Sequence, residues 1–433
     1  MTSNDWKEVT LEEICYYGDE KILSEEVTTN NYISTENMLP YKNGITNASS
    51  LPTTKKIRKY EKGDILISNI RPYFQKIWLS DRVGGCSNDV LVVKSQDDNK
   101  LDKKYLYYSL FQDEFFNYVT ETSKGTKMPR GDKTAIMNYS IMLPPLSEQN
   151  AIANILSTLD EKIETNNQIN EKLEEMAQAL FKRWFVDFEF PNKNGEPYKS
   201  SGGEMVESEL GMIPKGWKIV KLGDVIDFQN GYAFKSKDLL DVESDSTFRV
   251  FKMGNIRKGG GINHSGTKSY IERDKCQNLS NYIIKKGDLL MCMTDMKSNV
   301  ALLGHTALMD RDNEYILNQR VGLIRTKDSK VINYPYLYIL TNSEDFINNL
   351  RSRANSGVQV NLSTKEIKDS LICLPDQKVH SLFNEITERM FEKSFQVEDE
   401  NQKLKLIRDT LLPKLMSGEI RVQLEDEVLE VQS

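Results

Sequence analysis

Two stretches in the first third of the chain, "NIRPYFQK" (69–76) and "SKGTKMPRGDK" (123–133), crowd cations, aromatic rings and hydroxyls into loop-like sequence. They supply Arg71, Tyr73, Lys76, Lys124, Thr126, Lys127, Arg130 and Lys133. Four later stretches have the same character. "GYAFKSK" (231–237) brings Phe234 and Lys235, "MGNIRKGGG" (253–261) Arg257 and Lys258, "MTDMKSN" (293–299) Lys297 and Ser298, and "RSRANSGVQVN" (351–361) Arg351, Arg353, Gln359 and Asn361. Lysine and arginine neutralise phosphates and set register on a duplex. Arginine forks onto guanine, and asparagine or glutamine matches adenine. The residue types therefore suit a reader of double-stranded DNA, with each cluster carrying more weight than any one member.

Competing chemistries lack their required residues. A phosphate-cradling loop needs lysine and a hydroxyl directly after its second glycine, and "GINHSGTKS" (261–269) misses by one residue. An amino-methyltransferase needs a polar residue before Pro-Pro and an aromatic after it, whereas "LPPL" has Leu143 and Leu146 there. The "EIK" at Glu366 has no identifiable partner carboxylate for a metal-dependent nuclease. His264, His305 and His380 are too dispersed for a sequence-local metal site, and the five cysteines contain no CxxC pair. No catalytic residue and no metal are expected.

Internal repetition sets the elements that hold these loops. "WKEVTLEEI" at Trp6 returns as "WKIVKLGDV" at Trp217, "KGDIL" at Lys62 as "KGDLL" at Lys286, and "YLYYSL" at Tyr105 as "YLYIL" at Tyr336. From there the offset settles at 231 or 232, through Pro144 and Pro375 to Leu180 and Leu411. Each copy opens with short apolar runs broken by glycine and asparagine, then one helical stretch, Lys103 to Tyr118 or Tyr334 to Arg351. The expected fold class is α+β: two tandem α/β domains (1–145 and 216–375) separated by two long antiparallel helices in a pseudo-two-fold repeat. The helices fall in 146–190 and 376–420, with a linker at 191–215 and an acidic tail at 421–433.

The helical segments recur at threes and fours: Ile152, Ile155, Leu159, Ile163, Leu173, Met176 and Leu180 in one, Phe383, Ile386, Met390, Val397, Leu404, Ile407 and Leu411 in the other. Ser147 and Asp376 are the expected N-caps. A helix of about 38 residues is about 57 Å long, and its apolar stripe needs cover. The two stripes are expected to pack on each other, with Asn166 and Asn170 interrupting the first and fixing register. The linker is long enough to allow a parallel return; antiparallel packing is favoured because it gives the duplicated chain an approximate two-fold axis. "FKRWFVDFEF" (181–190) presents Trp184 and Phe185 either as an anchor for a partner subunit or as a plug against the neighbouring domain.

The net charge of −7 is unevenly spread. Residues 147–190 and 376–433 each carry −5, whereas 216–375 carry +5, so a polyanion partner is compatible with the second domain. The first domain lacks that excess, at −1 over 1–146. No apolar run reaches the roughly 18 residues of a membrane span, and the N-terminal sequence has no export-signal pattern. A cytoplasmic protein without membrane contact is expected.

The stretch "MPRGDKTAIMNYSIMLPPLSEQNAIANILSTLDEKIETNNQINEKLEEMAQALFKRWFVDFE" resembles the first central region of Type I restriction-modification specificity subunits. "MVESELGMIPKGWKIVKLGDV", "NGYAFKS", "LNQRVGLIR" and the ending "LPKLMSGEIRV" follow in the family's order. The resemblance implies a non-catalytic subunit with two target recognition domains that binds a bipartite DNA target. It further implies two adenine-N6 methyltransferase subunits and restriction-translocase subunits as partners. S-adenosylmethionine, ATP and Mg would then sit on those partners, and none on this chain. Leu159, Ile163, Leu173, Leu180, Trp184, Phe185, Met390, Val397, Leu404 and Leu411 would form the helix-pair and partner interface. The rival reading is a coiled-coil-type interaction scaffold whose repeat domains bind protein rather than DNA. "DQK" after Pro375, where the first copy has "PPLSEQ", marks a departure at the second domain-to-helix junction.

Overall fold

The computed structural model describes residues 6–264, 266–296, 300–356 and 359–422. The chain forms two compact units: residues 1–166 with 399–433, and residues 167–398. Each long helix therefore begins in one unit and ends in the other. The first spacer helix runs Leu146–Phe181 and the second Gln377–Met416.

The duplication is legible strand by strand. In unit one Lys7–Thr10 pairs antiparallel with Ser140–Leu143, and in unit two Lys218–Lys221 pairs with Leu371–Leu374. A four-stranded antiparallel sheet follows in each. Ile65–Ser68 lies between Val90–Ser95 and Ile77–Leu79, and Leu289–Cys292 between Val321–Thr326 and Thr306–Leu308. These central strands are buried on both faces, which explains their unbroken apolar runs. The "KGD" of each copy places a carboxylate under the sheet: Asp64 pairs with Lys94 at 3.3 Å, Asp288 with Arg325 at 2.6 Å.

The single helical stretch expected in each domain is two helices, Lys103–Phe111 and Asp113–Glu121, and likewise Tyr334–Asn342 and Glu344–Ser352. Gln112 and Ser343 stand between them with extended ψ near 150°, so the amide ladder stops and restarts in a new direction. Tyr105 and Tyr336 donate to the carbonyls of Met142 and Cys373, tying this helix pair to the strand that leads into the spacer helix.

The spacer helices start differently. Asp376 caps the second, accepting from Lys378 N and Val379 N, as expected. Ser147 does not cap the first. That helix begins at Leu146, and the amides of Glu148 and Gln149 go to the carbonyl of Pro145. Gln149 is buried and anchors the junction through Asp102 N, Lys100 O and Pro144 O.

Within unit one the helices are antiparallel, since Asp160 meets Arg408 at 2.7 Å and Asn166 meets Glu400 at 2.9 Å. Ile163 and Val397 are buried, while Leu159, Leu173, Leu180, Met390, Leu404 and Leu411 are half-buried. Four residues assigned to the stripes turn outward: Ile155, Met176, Ile386 and Ile407 are more than a third exposed. Ala177, Thr387 and Asn401 are buried instead, because each helix carries more apolar side chains than one face holds.

Trp184 and Phe185 are plugs. Both are buried in the core of unit two, with Phe185 edge-on to Tyr336 at 4.9 Å and to Phe383 at 4.8 Å. The linker at 191–215 is folded too. Met205–Ser208 and Gly211–Pro214 form a hairpin, and Tyr198 stacks on Phe190 at 4.6 Å. Of the tail, Arg421 and Val422 are described and 423–433 lie outside the described residues. Among the described residues no helix is long and apolar enough to cross a membrane.

Candidate nucleic-acid interface

In unit one the sheet strand Ile65–Ser68 runs into a loop that is clasped from two sides. Asn69 N donates to Asp89 O at 2.8 Å, and Asn69 O accepts from Gly131 N at 3.0 Å. A Cβ on Gly131 would stand 2.8 Å from Asn69 Oδ1, so a larger residue there would push the Asn69 side chain aside. Lys124 and Arg130 exchange backbone hydrogen bonds at 2.9 Å each, closing a small hairpin whose Gly125 has φ +98°. Arg71 N donates to Pro129 O at 2.8 Å, which sews the "NIRPYF" turn to that hairpin.

The two sequence clusters thus become one rim. Arg71, Tyr73, Lys124, Thr126, Lys127, Arg130 and Lys133 are all exposed on it. Arg130 lies 3.2 Å from Asp89, and Lys124 pairs with Asp132, whose carboxyl is held below its usual range by that lysine and by the amides of Ala135 and Thr134. These pairs orient the cations while leaving them at the surface. Lys76 is the exception: its ammonium turns inward to Thr35 O, and burial lowers its pKa.

Unit two repeats the clasp with other side chains. Met293 N donates to Arg320 O at 3.2 Å, and Leu362 N donates to Met293 O at 2.9 Å. The hairpin here spans 355–361, as long as 124–130 in unit one, and is paired over more residues. Thr294–Met296 pairs with Gln359–Asn361, which pairs with Asn355–Ser356. Gln359 and Asn361 are exposed, and Asn361 accepts from Thr294 Oγ1 at 2.8 Å. Lys297 and Ser298 lie outside the described residues, as does Gly357.

Arg351 and Arg353 brace this hairpin's base. Arg351 donates to the carbonyls of Leu303 and Ala301, and Arg353 to Asn349 and Ser370. Glu366 is spent on capping the helix Thr364–Lys368. Arg257 and Lys258 stand exposed on a separate turn, made possible by Gly259, Gly260 and Gly261 at φ between +87° and +110°. Lys235 is exposed on a third loop, with Phe234 half-buried against Tyr232.

Three rim residues escaped the reading of residue types: Asp89, Gln319 and Arg320. The repeat offset of 231 carried the signal, since it sets "SND" (87–89) against "NQR" (318–320). At the two places where unit one has Asp89 and Arg130, unit two has Arg320 and Asn361.

Comparison with known proteins follows the same division. The sequence model of the Type I restriction modification DNA specificity domain matches residues 3–175 and 214–393. The chain is 28% identical over 396 residues to the Type I restriction enzyme MjaVIII specificity subunit of Methanocaldococcus jannaschii, covering 90% of this chain and 86% of that one. It is 26% identical to the HindI specificity subunit of Haemophilus influenzae, covering 96% and 100%. The crystal structure of a Type I restriction-modification S subunit from M. genitalium matches 96% of this chain and 97% of its own, at TM-score 0.53 and 17% identity, and so shares the fold.

Proposed function

From the premise that the chain belongs to the Type I restriction-modification DNA specificity family, we propose that it reads a split, asymmetric DNA target, one half through each unit's rim. The observation that carries this reading is the doubled clasp with unlike side chains. The same backbone hydrogen bonds clasp Asp89 and Gly131, the neighbour of Arg130, in one unit and Arg320 and Leu362, the neighbour of Asn361, in the other. Arginine suits guanine and asparagine suits adenine, so two equal scaffolds with these exchanges favour two different half-sites. Lys124, Lys127 and Lys133 are the phosphate contacts in unit one.

Partner positioning belongs to the same proposal. Both spacer helices keep apolar side chains in solvent, Ile155, Ile169 and Met176 on the first and Leu382, Ile386, Leu406 and Ile407 on the second. Such faces suit two methyltransferase subunits docking along the helices, with restriction subunits joining them. Chemistry then resides on those partners: S-adenosylmethionine on the methyltransferases, ATP and Mg on the restriction subunits. This chain supplies recognition alone.

The test is methylome sequencing of a host carrying the system, combined with salt-dependent DNA binding by the assembled methyltransferase. The expected motif is two unlike half-sites around a fixed gap. Arg130→Ala should relax one half and Arg320→Ala the other, each by about 1–3 kcal/mol of discrimination. Lys127→Ala should instead lower the salt slope by about 1 for all sequences. Unchanged affinity and salt slope in all three would replace this reading with the protein-binding scaffold.

A further inference from the structure

We propose that His264, Asp310 and Glu398 form a divalent-metal site that ties the glycine-rich loop of unit two to the second spacer helix. The three are far apart in sequence, yet one ligand atom from each lies within 4.8 Å of the others. His264 Nε2 is 3.0 Å from Asp310 Oδ2 and 4.0 Å from Glu398 Oε1. Oxygen and nitrogen donors about 2.0–2.2 Å from a tetrahedral zinc stand roughly 3.3–3.6 Å from one another. Small side-chain movements would bring the three to that spacing, with water as a fourth ligand.

Asp310 makes the trio more than a group of surface charges. Its side chain is 8% exposed, and its Oδ1 has no hydrogen-bond partner among the described residues. Arg311 Nε stands 3.8 Å from Oδ1, too far for a hydrogen bond, and the same guanidinium is engaged by Glu314 at 3.1 Å. A buried carboxylate with one oxygen outside any hydrogen bond has room for a closer cation. Oδ2 is the oxygen turned to His264.

The histidine is set up to ligate. Its Nδ1 lies 3.3 Å from the Tyr315 hydroxyl, which also accepts from Arg249 at 3.5 Å. With the proton on Nδ1 donated to that oxygen, Nε2 presents its lone pair to the two carboxylates. Without a metal, the other tautomer lets Nε2–H donate to Asp310. The loop bearing His264 is held in place, since Asn263 N donates to Asn255 O at 2.7 Å and Asn255 is buried. One imidazole and two carboxylates suit a first-row divalent ion such as zinc or manganese more than calcium, which takes six to eight oxygens.

The experiment is calorimetric titration of zinc into the chelator-treated full chain without DNA, so that its outcome is independent of target recognition. One zinc per chain, a raised Tm on loading, and at least ten-fold weaker binding in His264→Gln and in Glu398→Gln are expected. Glu398, 21% exposed, is the substitution that leaves a folded chain, checked by circular dichroism. Absence of stoichiometric zinc uptake, equal affinity in Glu398→Gln and the parent, or an equal response to magnesium would overturn the site.

Discussion

Trp6 and Trp217 occupy the same place in the two repeats, and their surroundings follow opposite chemistry. Trp217 is buried among rings: Phe190 stacks on it at 5.0 Å and 25°, with Phe185 at 5.7 Å and Phe188 at 5.6 Å. Trp6 is half-buried and held by charge. Its Nε1 donates to Glu148 at 2.9 Å, and Arg421, 5.4 Å above the ring, binds the same carboxylate through two hydrogen bonds. By the offset of 231, Arg421 stands where unit two has Phe190, and Glu148 where it has Val379. One scaffold thus closes over its spacer helix with apolar area in one copy and with an ion pair in the other. The lesson is that duplication preserves backbone hydrogen bonds and leaves free the means of filling the space around them.

Removing a ring should expose the difference most. Phe185 touches Trp184, Trp217, Tyr336 and Phe383, so Phe185→Ala is expected to cost unit two about 3–5 kcal/mol. Native-state hydrogen exchange read on peptides from each unit should show the loss at 181–220, with the protection of 7–15 little changed. Uniform loss across both units would mean that the plug does not belong to unit two's own core.

Breaking the ionic plug should cost less and should depend on salt. Glu148 is 5% exposed but its partner Arg421 is 46% exposed, so solvent screens the pair and Glu148→Gln should cost about 1–3 kcal/mol. The parent's unit-one protection should fall as salt rises, and the Gln variant's should not. An equal salt response in Phe185→Ala and Glu148→Gln would erase the distinction between the plugs.

Sequence alone carried the duplication, the fold class and the two long helices, because an offset near 231 and a three-to-four residue period are properties of the chain itself. It carried the clusters of the unit-one rim for the same reason. It misplaced Ile155, Met176, Ile386 and Ile407, since helices with apolar residues on more than one face have a period that does not say which face is covered. The residue types of Lys76 and Arg351 do not reveal that a backbone carbonyl claims each cation. Arg320 required aligning the copies. Trp184 and Phe185 left two readings open until Phe383, some 200 residues away, stood against both.

A quieter contrast lies one residue past Glu148. Gln149 in unit one and His380 in unit two share a position, both buried beneath the start of a spacer helix. Gln149 is satisfied by three backbone partners and does not titrate. His380 has only Asn384 at 3.2 Å on Nδ1 and the Tyr336 ring beside it, and its Nε2 has no hydrogen-bond partner among the described residues. Burial lowers its pKa to about 4, so the folded form resists a proton that the unfolded chain takes up near 6.5. The unfolded state therefore binds more protons as pH falls, and the stability that a neutral His380 allows is present above pH 6.5 and lost progressively toward pH 4. At pH 6 the loss is under about 1 kcal/mol, the smallest of these effects. Hydrogen exchange between pH 7.5 and 5, corrected for intrinsic rates, should show unit two weakening more than the same region of His380→Gln. A parent and variant with the same pH slope would place the proton elsewhere and leave Gln149 and His380 equivalent.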